Sequence, residues 1–171
     1  MTGFDVRLRR LMPFEGTTPI VRLQAGDIFF DPAPHRLMTL LGSCVAVCLW
    51  DRCRRMGGMT HSLLPRSTGE GGPAGRDVDA AINDLVNRMI RAGCRTEDMA
   101  AKMFGGFTAL SGLGTSSRIG KANVESAVHT LDEWGIEIVA QEILREGGIV
   151  IYQNTETGDV SGRLLGMVGR G

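Results

Sequence analysis

The sequence predicts an α+β fold, a layered sandwich of mostly antiparallel or mixed sheet with two main helices, and three observations lead to this prediction. Short apolar runs rich in β-branched residues occur in both halves of the chain, which is typical of strands. Two longer segments repeat apolar residues at helical spacing. Glycine accounts for 24 of the 171 residues, about twice its usual share, as expected where tight turns join many strands.

The first part of the chain predicts an arm followed by five strands. Residues 1–19 show no sustained periodicity and are expected to form a loose N-terminal arm, whereas residues 20–171 are expected to form a single domain. Within that domain, apolar runs separated by glycine, proline and charged residues predict strands at residues 20–23, 28–30, 37–41, 45–50 and 57–64. The last two strands, joined by the charged segment 51–55, predict a β-hairpin.

The second part of the chain predicts two helices and four further strands. Apolar residues at helical spacing predict one helix over residues 78–90, with Asp77 or Asp79 as its N-cap, and another over about residues 121–134. Each helix is followed by a glycine that can end it. The further strands are expected at residues 99–104, 136–141, 148–153 and 160–165.

The composition disfavours polyanion binding, export and membrane insertion. The chain has 19 Lys and Arg against 19 Asp and Glu, so no net field would attract nucleic acid or an anionic membrane surface. No apolar stretch reaches the roughly 18 residues of a membrane span, and the N-terminus lacks the pattern of a signal peptide. We therefore expect a cytoplasmic protein whose four cysteines stay reduced.

The predicted hairpin brings a cysteine and a histidine together. If its turn is centred between Arg52 and Cys53, Cys44 lies directly opposite His61. Opposed residues of an antiparallel pair share a face, with Cβ atoms roughly 4.5–5.5 Å apart, so the thiol and the imidazole would reach each other. A slip of one residue would place the two side chains on opposite faces.

A cysteine beside a histidine is the arrangement of nucleophilic acyl transfer. The imidazole takes the thiol proton, the thiolate attacks, and the imidazolium then protonates a departing amine. Gly42 and Ser43 immediately precede Cys44, and the backbone N–H groups of this approach are candidates for binding an oxyanion. Thr39, a hydroxyl residue upstream of this approach, would orient His61 without adding charge.

Other interpretations of these residues remain open at this point. A cysteine in an apolar strand is usually a small buried hydrophobic residue, and Cys48 fits that description. Cys44, Cys48 and Cys53 with His61 would also suggest zinc, but the C-x2-C pair typical of such sites is missing. The glycine-rich segment 105–120 matches no phosphate-binding motif, so nucleotide binding is not expected.

Two blocks of the sequence resemble the signature of the CheD family of chemoreceptor glutamine deamidases. They are residues 40–48 (LLGSCVAVC) and 57–65 (GGMTHSLLP), at the separation found in that family. Later blocks also resemble the family, at residues 102–106 (KMFGG), 119–124 (IGKANV) and 135–140 (GIEIVA). The resemblance covers about residues 20–165, and the family's layered α+β fold, related to that of bacterial toxin deamidases, agrees with the elements predicted above.

The resemblance implies an activity and a set of roles. Cys44 matches the family's nucleophile, His61 its base and Thr39 its third residue. The implied reaction is hydrolysis of a glutamine side-chain amide on a methyl-accepting chemotaxis receptor through a thioester, with no metal or organic cofactor. Some relatives also bind CheC, a phosphatase of the phosphorylated response regulator. A low-turnover regulator of such a partner and a small-molecule cysteine amidohydrolase are the alternatives.

Overall fold

Nine strands and two α-helices make up the part of the chain that the structure, a computed structural model, describes: residues 18, 20–66, 68–69, 72–108 and 115–166. The strands are β1 (Ile20–Arg22), β2 (Ile28–Phe30), β3 (Arg36–Leu41), β4 (Val45–Asp51), β5 (Met56–Thr60), β6 (Met99–Gly105), β7 (Glu137–Ile143), β8 (Gly148–Asn154) and β9 (Val160–Leu165). The helices are α1 (Val78–Arg91) and α2 (Thr115–Glu133). The arm predicted for residues 1–19 lies outside the described residues except for Thr18, and the single domain over 20–171 stays a prediction.

The strands form two sheets that pack face to face, with both helices on the far side of one of them. The five-stranded sheet has the order β2-β5-β4-β6-β7, and the four-stranded sheet has the order β1-β3-β8-β9. Strand neighbours are antiparallel except for the parallel pairs β1/β3 and β6/β7. One hydrophobic core lies between the helices and the five-stranded sheet, and a second lies between the two sheets. The predicted layered α+β fold with mixed sheets and two main helices is confirmed.

Helix α1 begins at Val78 as predicted, whereas the start of α2 differs from the prediction. Helix α2 begins at Thr115, before the predicted start near residue 121. Asp77 occupies the N-cap of α1, but its carboxylate makes no capping hydrogen bond and pairs with Arg76 at 3.2 Å. Neither helix, over the residues described, is long and apolar enough to cross a membrane.

Strand β4 divides its side chains between the two cores. Val45, Val47 and Leu49 pack among the helices, whereas Ala46 and Cys48 pack between the sheets. All five are buried, because a central strand covered on both faces needs an apolar side chain at every position. The alternation places the residue just before the strand, Cys44, on the face that meets the four-stranded sheet, where it packs partly buried against the second core.

The hairpin of β4 and β5 has a different register from the predicted one. The paired residues are Val45 with Ser62, Cys48 with Met59, and Asp51 with Met56. The turn is therefore centred one residue later, between Cys53 and Arg54. The side chain of Asp51 stabilises this four-residue turn, since one carboxylate oxygen accepts hydrogen bonds from the backbone N–H groups of Cys53 (2.9 Å) and Arg54 (2.8 Å).

The prediction that Cys44 lies directly opposite His61 is therefore wrong. In the observed register Cys44 is displaced by two positions and becomes a diagonal neighbour of His61. Diagonal neighbours share a face and have separations of about 7–8 Å between their backbones, with the Cβ atoms somewhat closer. The two side chains thus remain on the same side of the sheet, as the chemistry requires.

Helix α2 touches the end of β6 through backbone atoms. Gly105 and Gly106 form the turn that follows β6, both with left-handed φ values (106° and 66°) that favour glycine. A Cβ atom on Gly120 of α2 would lie 2.5 Å from the Gly106 carbonyl oxygen. Glycine at both positions therefore lets the helix approach the turn that follows β6.

Replacing Gly120 with alanine is expected to lower the free energy of unfolding by about 1–3 kcal/mol, the usual cost of an extra methyl group in a tightly packed contact. Helix propensity alone would raise it by about 0.8–1.0 kcal/mol, so the sign of the change separates the two effects. Urea unfolding followed by circular dichroism measures it. An unchanged or increased stability would show that α2 and the Gly106 turn have room to separate.

Candidate active site

The bend that carries Cys44 joins β3 to β4 and is held by the turn after β6. The Gly42 carbonyl accepts a hydrogen bond from the Phe107 N–H, and the Cys44 carbonyl accepts one from the Gly106 N–H, both at 2.8 Å. A Cβ atom on Gly105 would lie 2.1 Å from the Cys44 carbonyl oxygen, so only glycine allows this approach. The bend is therefore fixed from the side of β6, and the Cys44 thiol is left half-buried.

The backbone N–H groups of Ser43 and Cys44 in this bend are candidate donors to an oxyanion. The Ser43 carbonyl, like its two neighbours, accepts a hydrogen bond, in this case from the side chain of Asn123 at 3.1 Å. Within the described part of the chain, no other residue accepts a hydrogen bond from the N–H of Ser43 or Cys44; the Cys44 N–H interacts with its own sulfur. Two adjacent N–H groups beside a thiol are the donors that a developing oxyanion needs.

His61 follows β5 and meets β3 of the other sheet. Its Nδ1 atom lies 2.7 Å from Oγ1 of Thr39, and that hydroxyl donates its hydrogen to the Leu23 carbonyl at 2.9 Å. Because the hydroxyl has one hydrogen, it accepts from His61, which must carry its proton on Nδ1. The lone pair then lies on Nε2, and this is the atom that can take a proton.

Burial keeps both members of the cysteine–histidine pair neutral at rest. His61 is 5 % exposed and Thr39 is 2 % exposed. Burial lowers the pKa of His61, and this outweighs the opposing effects of Asp27 and the Leu23 carbonyl. Burial also raises the pKa of the Cys44 thiol, although its own N–H partly offsets this. At neutral pH the free protein therefore holds a neutral thiol and a neutral imidazole on the same face of the sheet, and no ion pair.

Comparison with known proteins shows the family of this chain. A family model described as CheD chemotactic sensory transduction matches residues 63–163, more than half of the chain. The chain belongs to the CheD family. It is 38 % identical to a protein of Trichlorobacter lovleyi over 85 % of this chain and 87 % of that one, and 40 % identical to one of Rhodospirillum rubrum over 84 % and 81 %. A third relative, from Methanococcus vannielii, is 30 % identical over 83 % and 93 %. All three are named probable chemoreceptor glutamine deamidase CheD.

In this CheD-family chain, some of the predicted site residues are in direct side-chain contact, and others are held in place by hydrogen bonds to their backbone carbonyls. Thr39 contacts His61 across the two sheets, and Cys44 lies on the same face of the five-stranded sheet. Gly42 and Ser43 turn their carbonyls towards β6 and α2. The zinc alternative is not assembled: Cys48 is buried between the sheets, with a pKa raised by burial to about 12, and no group of three His, Cys, Asp or Glu side chains suited to a metal occurs among the described residues.

Sequence reasoning missed the contribution of two residues in this CheD-family chain. Leu23 acts through its backbone carbonyl, so its side-chain type carries no signal. Asn123 is a polar residue among the buried apolar positions of α2, and that break in the pattern was the available signal. Its hydrogen bond to the Ser43 carbonyl joins two segments eighty residues apart, which no local pattern reveals.

Proposed function

We propose that this chain is a chemoreceptor glutamine deamidase in which Cys44 is the nucleophile and His61 the general base. The observation that carries the proposal is the buried hydrogen bond from His61 Nδ1 to Thr39, because it leaves Nε2 unprotonated on the face shared with Cys44. The names of the three relatives, each a probable chemoreceptor glutamine deamidase, support this substrate class.

The proposed reaction has two halves. His61 Nε2 takes the thiol proton, the Cys44 sulfur bonds to the amide carbon of a receptor glutamine, and the carbonyl π electrons move to oxygen. The N–H groups of Ser43 and Cys44 stabilise that oxyanion. When the carbonyl reforms, the imidazolium protonates the amide nitrogen as the carbon–nitrogen bond breaks, so that ammonia departs and a thioester remains.

Water completes the cycle. His61, neutral again, removes a proton from water as the oxygen attacks the thioester carbon, and the Cys44 sulfur leaves and regains its proton. The product is glutamate, and no metal or organic cofactor is required. Each turnover replaces a neutral amide with a carboxylate, so the receptor's helical bundle gains one negative charge and a site for methylation. The modified glutamines lie on the cytoplasmic part of the receptor, so the chain would act in the cytoplasm.

A CheC-type phosphatase is the second partner in the proposal. Its binding would use the protein surface and would not need the thiol, so a Cys44→Ala variant should still bind it. A chain that binds such a partner but shows no turnover on any receptor would instead be a regulator without enzymatic activity.

The decisive experiment incubates the protein with purified cytoplasmic fragments of methyl-accepting receptors and follows them by mass spectrometry. We expect a gain of about one dalton at individual glutamines, since a side-chain NH2 is replaced by OH. Free glutamine serves as the control substrate, and ammonia release from it should be negligible. Equal turnover of free glutamine would favour a small-molecule amidohydrolase, and unchanged receptor fragments would contradict the proposed activity.

The pH profile of kcat/KM is expected to be broad, flat from below about pH 6.5 to above about pH 8.5. The active form holds one proton on the Cys44–His61 pair. A second proton disables His61, but burial lowers the pKa of His61, so this loss occurs at lower pH than for an ordinary histidine. The remaining proton is lost from Cys44. Burial raises the pKa of this thiol, so the loss occurs at higher pH than for an ordinary cysteine. Initial rates across this range test the prediction, and a narrow maximum between the two values would contradict it.

A further inference from the structure

The ladder between β4 and β5 ends at the active site. The last backbone rung is Val45 with Ser62, whose N–H and carbonyl groups pair at 3.0 and 2.9 Å. Beyond it the chain turns away, because the N–H of Leu63 bonds to the Arg76 carbonyl at 2.8 Å. The segment with the nucleophile and the segment with the base therefore separate close to the point where their side chains must cooperate.

A side chain of α2 replaces the missing rung. The Asn123 amide nitrogen donates one hydrogen bond to the Ser43 carbonyl at 3.1 Å and another to the Leu63 carbonyl at 2.9 Å. Asn123 has no exposed surface, so both donors of its amide are committed to these two carbonyls. Its Oδ1 atom has no hydrogen-bond partner among the described residues.

We infer that Asn123 is a positioning residue of the active site, which holds the bend containing Cys44 against the segment containing His61. The inference rests on the proposed deamidase function. Ser43 directly precedes Cys44, and Leu63 follows His61 by two residues, so one amide group links the backbone within two residues of each reacting side chain. Asn123 itself does not touch the substrate.

The position of Asn123 is set by the same helix contact that supports the other side of Cys44. Gly120, one turn earlier in α2, packs against the Gly106 carbonyl, and the Gly106 N–H bonds to the Cys44 carbonyl. The helix thus contacts the nucleophile bend, residues 42–44, by two routes. One route is through the turn after β6, and the other is through the Asn123 amide. A displacement of about 1 Å at a nucleophile can cost about 100-fold in rate, so loss of either route should be visible in kcat.

The test compares Asn123→Ala with Ser126→Ala. Ser126 lies one turn further along α2, is 6 % exposed and donates a hydrogen bond to the Pro65 carbonyl, but has no hydrogen bond to residues 42–44 or to His61. Asn123→Asp is the third variant, because it keeps the shape of the side chain and removes the NH2 group. Receptor deamidation gives kcat and KM, thermal unfolding gives stability, and alkylation by iodoacetamide reports the reactivity of Cys44.

For Asn123→Ala we expect kcat to fall by about 10- to 100-fold, as for other losses of positioning, with little change in KM. We also expect the pH dependence of Cys44 alkylation to shift. Asn123→Asp should be at least as slow. Ser126→Ala should lose comparable stability yet keep kcat and its alkylation profile. If Asn123→Ala keeps the wild-type kcat, or if both alanine variants lose kcat in proportion to stability, the positioning role is overturned.

Two measurements separate this inference from the proposed function and from misfolding. Alkylation needs no receptor, so a shifted profile in Asn123→Ala alone would support positioning even if wild-type protein left every receptor unchanged. Should the Asn123 variants fail to fold, the side-chain amide protons of Asn123 can be followed by NMR in wild-type protein. They are expected to shift when Cys44 is alkylated, and unchanged signals would count against the link.

Discussion

A Cys44→Ala variant is expected to deamidate receptor glutamines at least about 1,000-fold more slowly than the wild-type protein, because a thioester cannot form without the sulfur. The methyl group of alanine fills part of the space of a half-buried thiol, so the fold should persist. Mass spectrometry of the receptor fragment over time measures the loss, and circular dichroism confirms the fold.

The chain offers a matched control for this variant in Cys53. That cysteine is exposed in the β4–β5 turn, beyond the end of β4 opposite to the active site. Cys53→Ala should therefore keep the wild-type rate within about twofold, as is usual for surface substitutions. If Cys44→Ala keeps most of its activity, or if Cys53→Ala loses as much, the assignment of the nucleophile is wrong.

Replacing His61 with glutamine is expected to lower kcat by about 100- to 10,000-fold, the range found for loss of a general acid–base group. The neutral imidazole takes the thiol proton and later gives it to the amide nitrogen, which departs as ammonia, and glutamine can do neither. Single-turnover measurements with the receptor fragment should show that formation of the thioester is slowed.

Thr39 provides the graded comparison for His61. Thr39→Val keeps the shape of the side chain but removes the acceptor for His61 Nδ1–H, so the correct tautomer is no longer selected. We expect a smaller loss than for His61→Gln, with partial recovery in Thr39→Ser. A His61→Gln variant as active as Thr39→Val would indicate that another group moves the proton.

Most of the fold could be predicted because its signals are local. Strand β4 reads as an unbroken apolar run since both of its faces are buried, and α1 repeats apolar residues at helical spacing since one face packs on the sheet. Cys44 and His61 were recognised from the blocks around them. Their shared face followed from the two-residue period of a strand, and it survived the error in register because the shift was even.

The register itself depended on a side chain. The Asp51 carboxylate accepts hydrogen bonds from two backbone N–H groups and so stabilises the observed turn over other turns of similar length. The spacing of the charged residues in the sequence does not show which of these turns forms. The error moved Cys44 from a direct to a diagonal neighbour of His61, a difference that matters for catalysis and has little effect on the hydrophobic pattern.

The sequence by itself determined which elements form, which faces they bury, and that a cysteine and a histidine share one face of a sheet. Only the tertiary structure decided how the imidazole is oriented and how the nucleophile bend is held. These tasks fall to residues from other parts of the fold: Thr39, the Leu23 carbonyl and Asn123. Their hydrogen bonds either join the two sheets or link α2 to the bend. Periodicity records burial, which is a property of each segment, whereas these contacts depend on how distant segments meet.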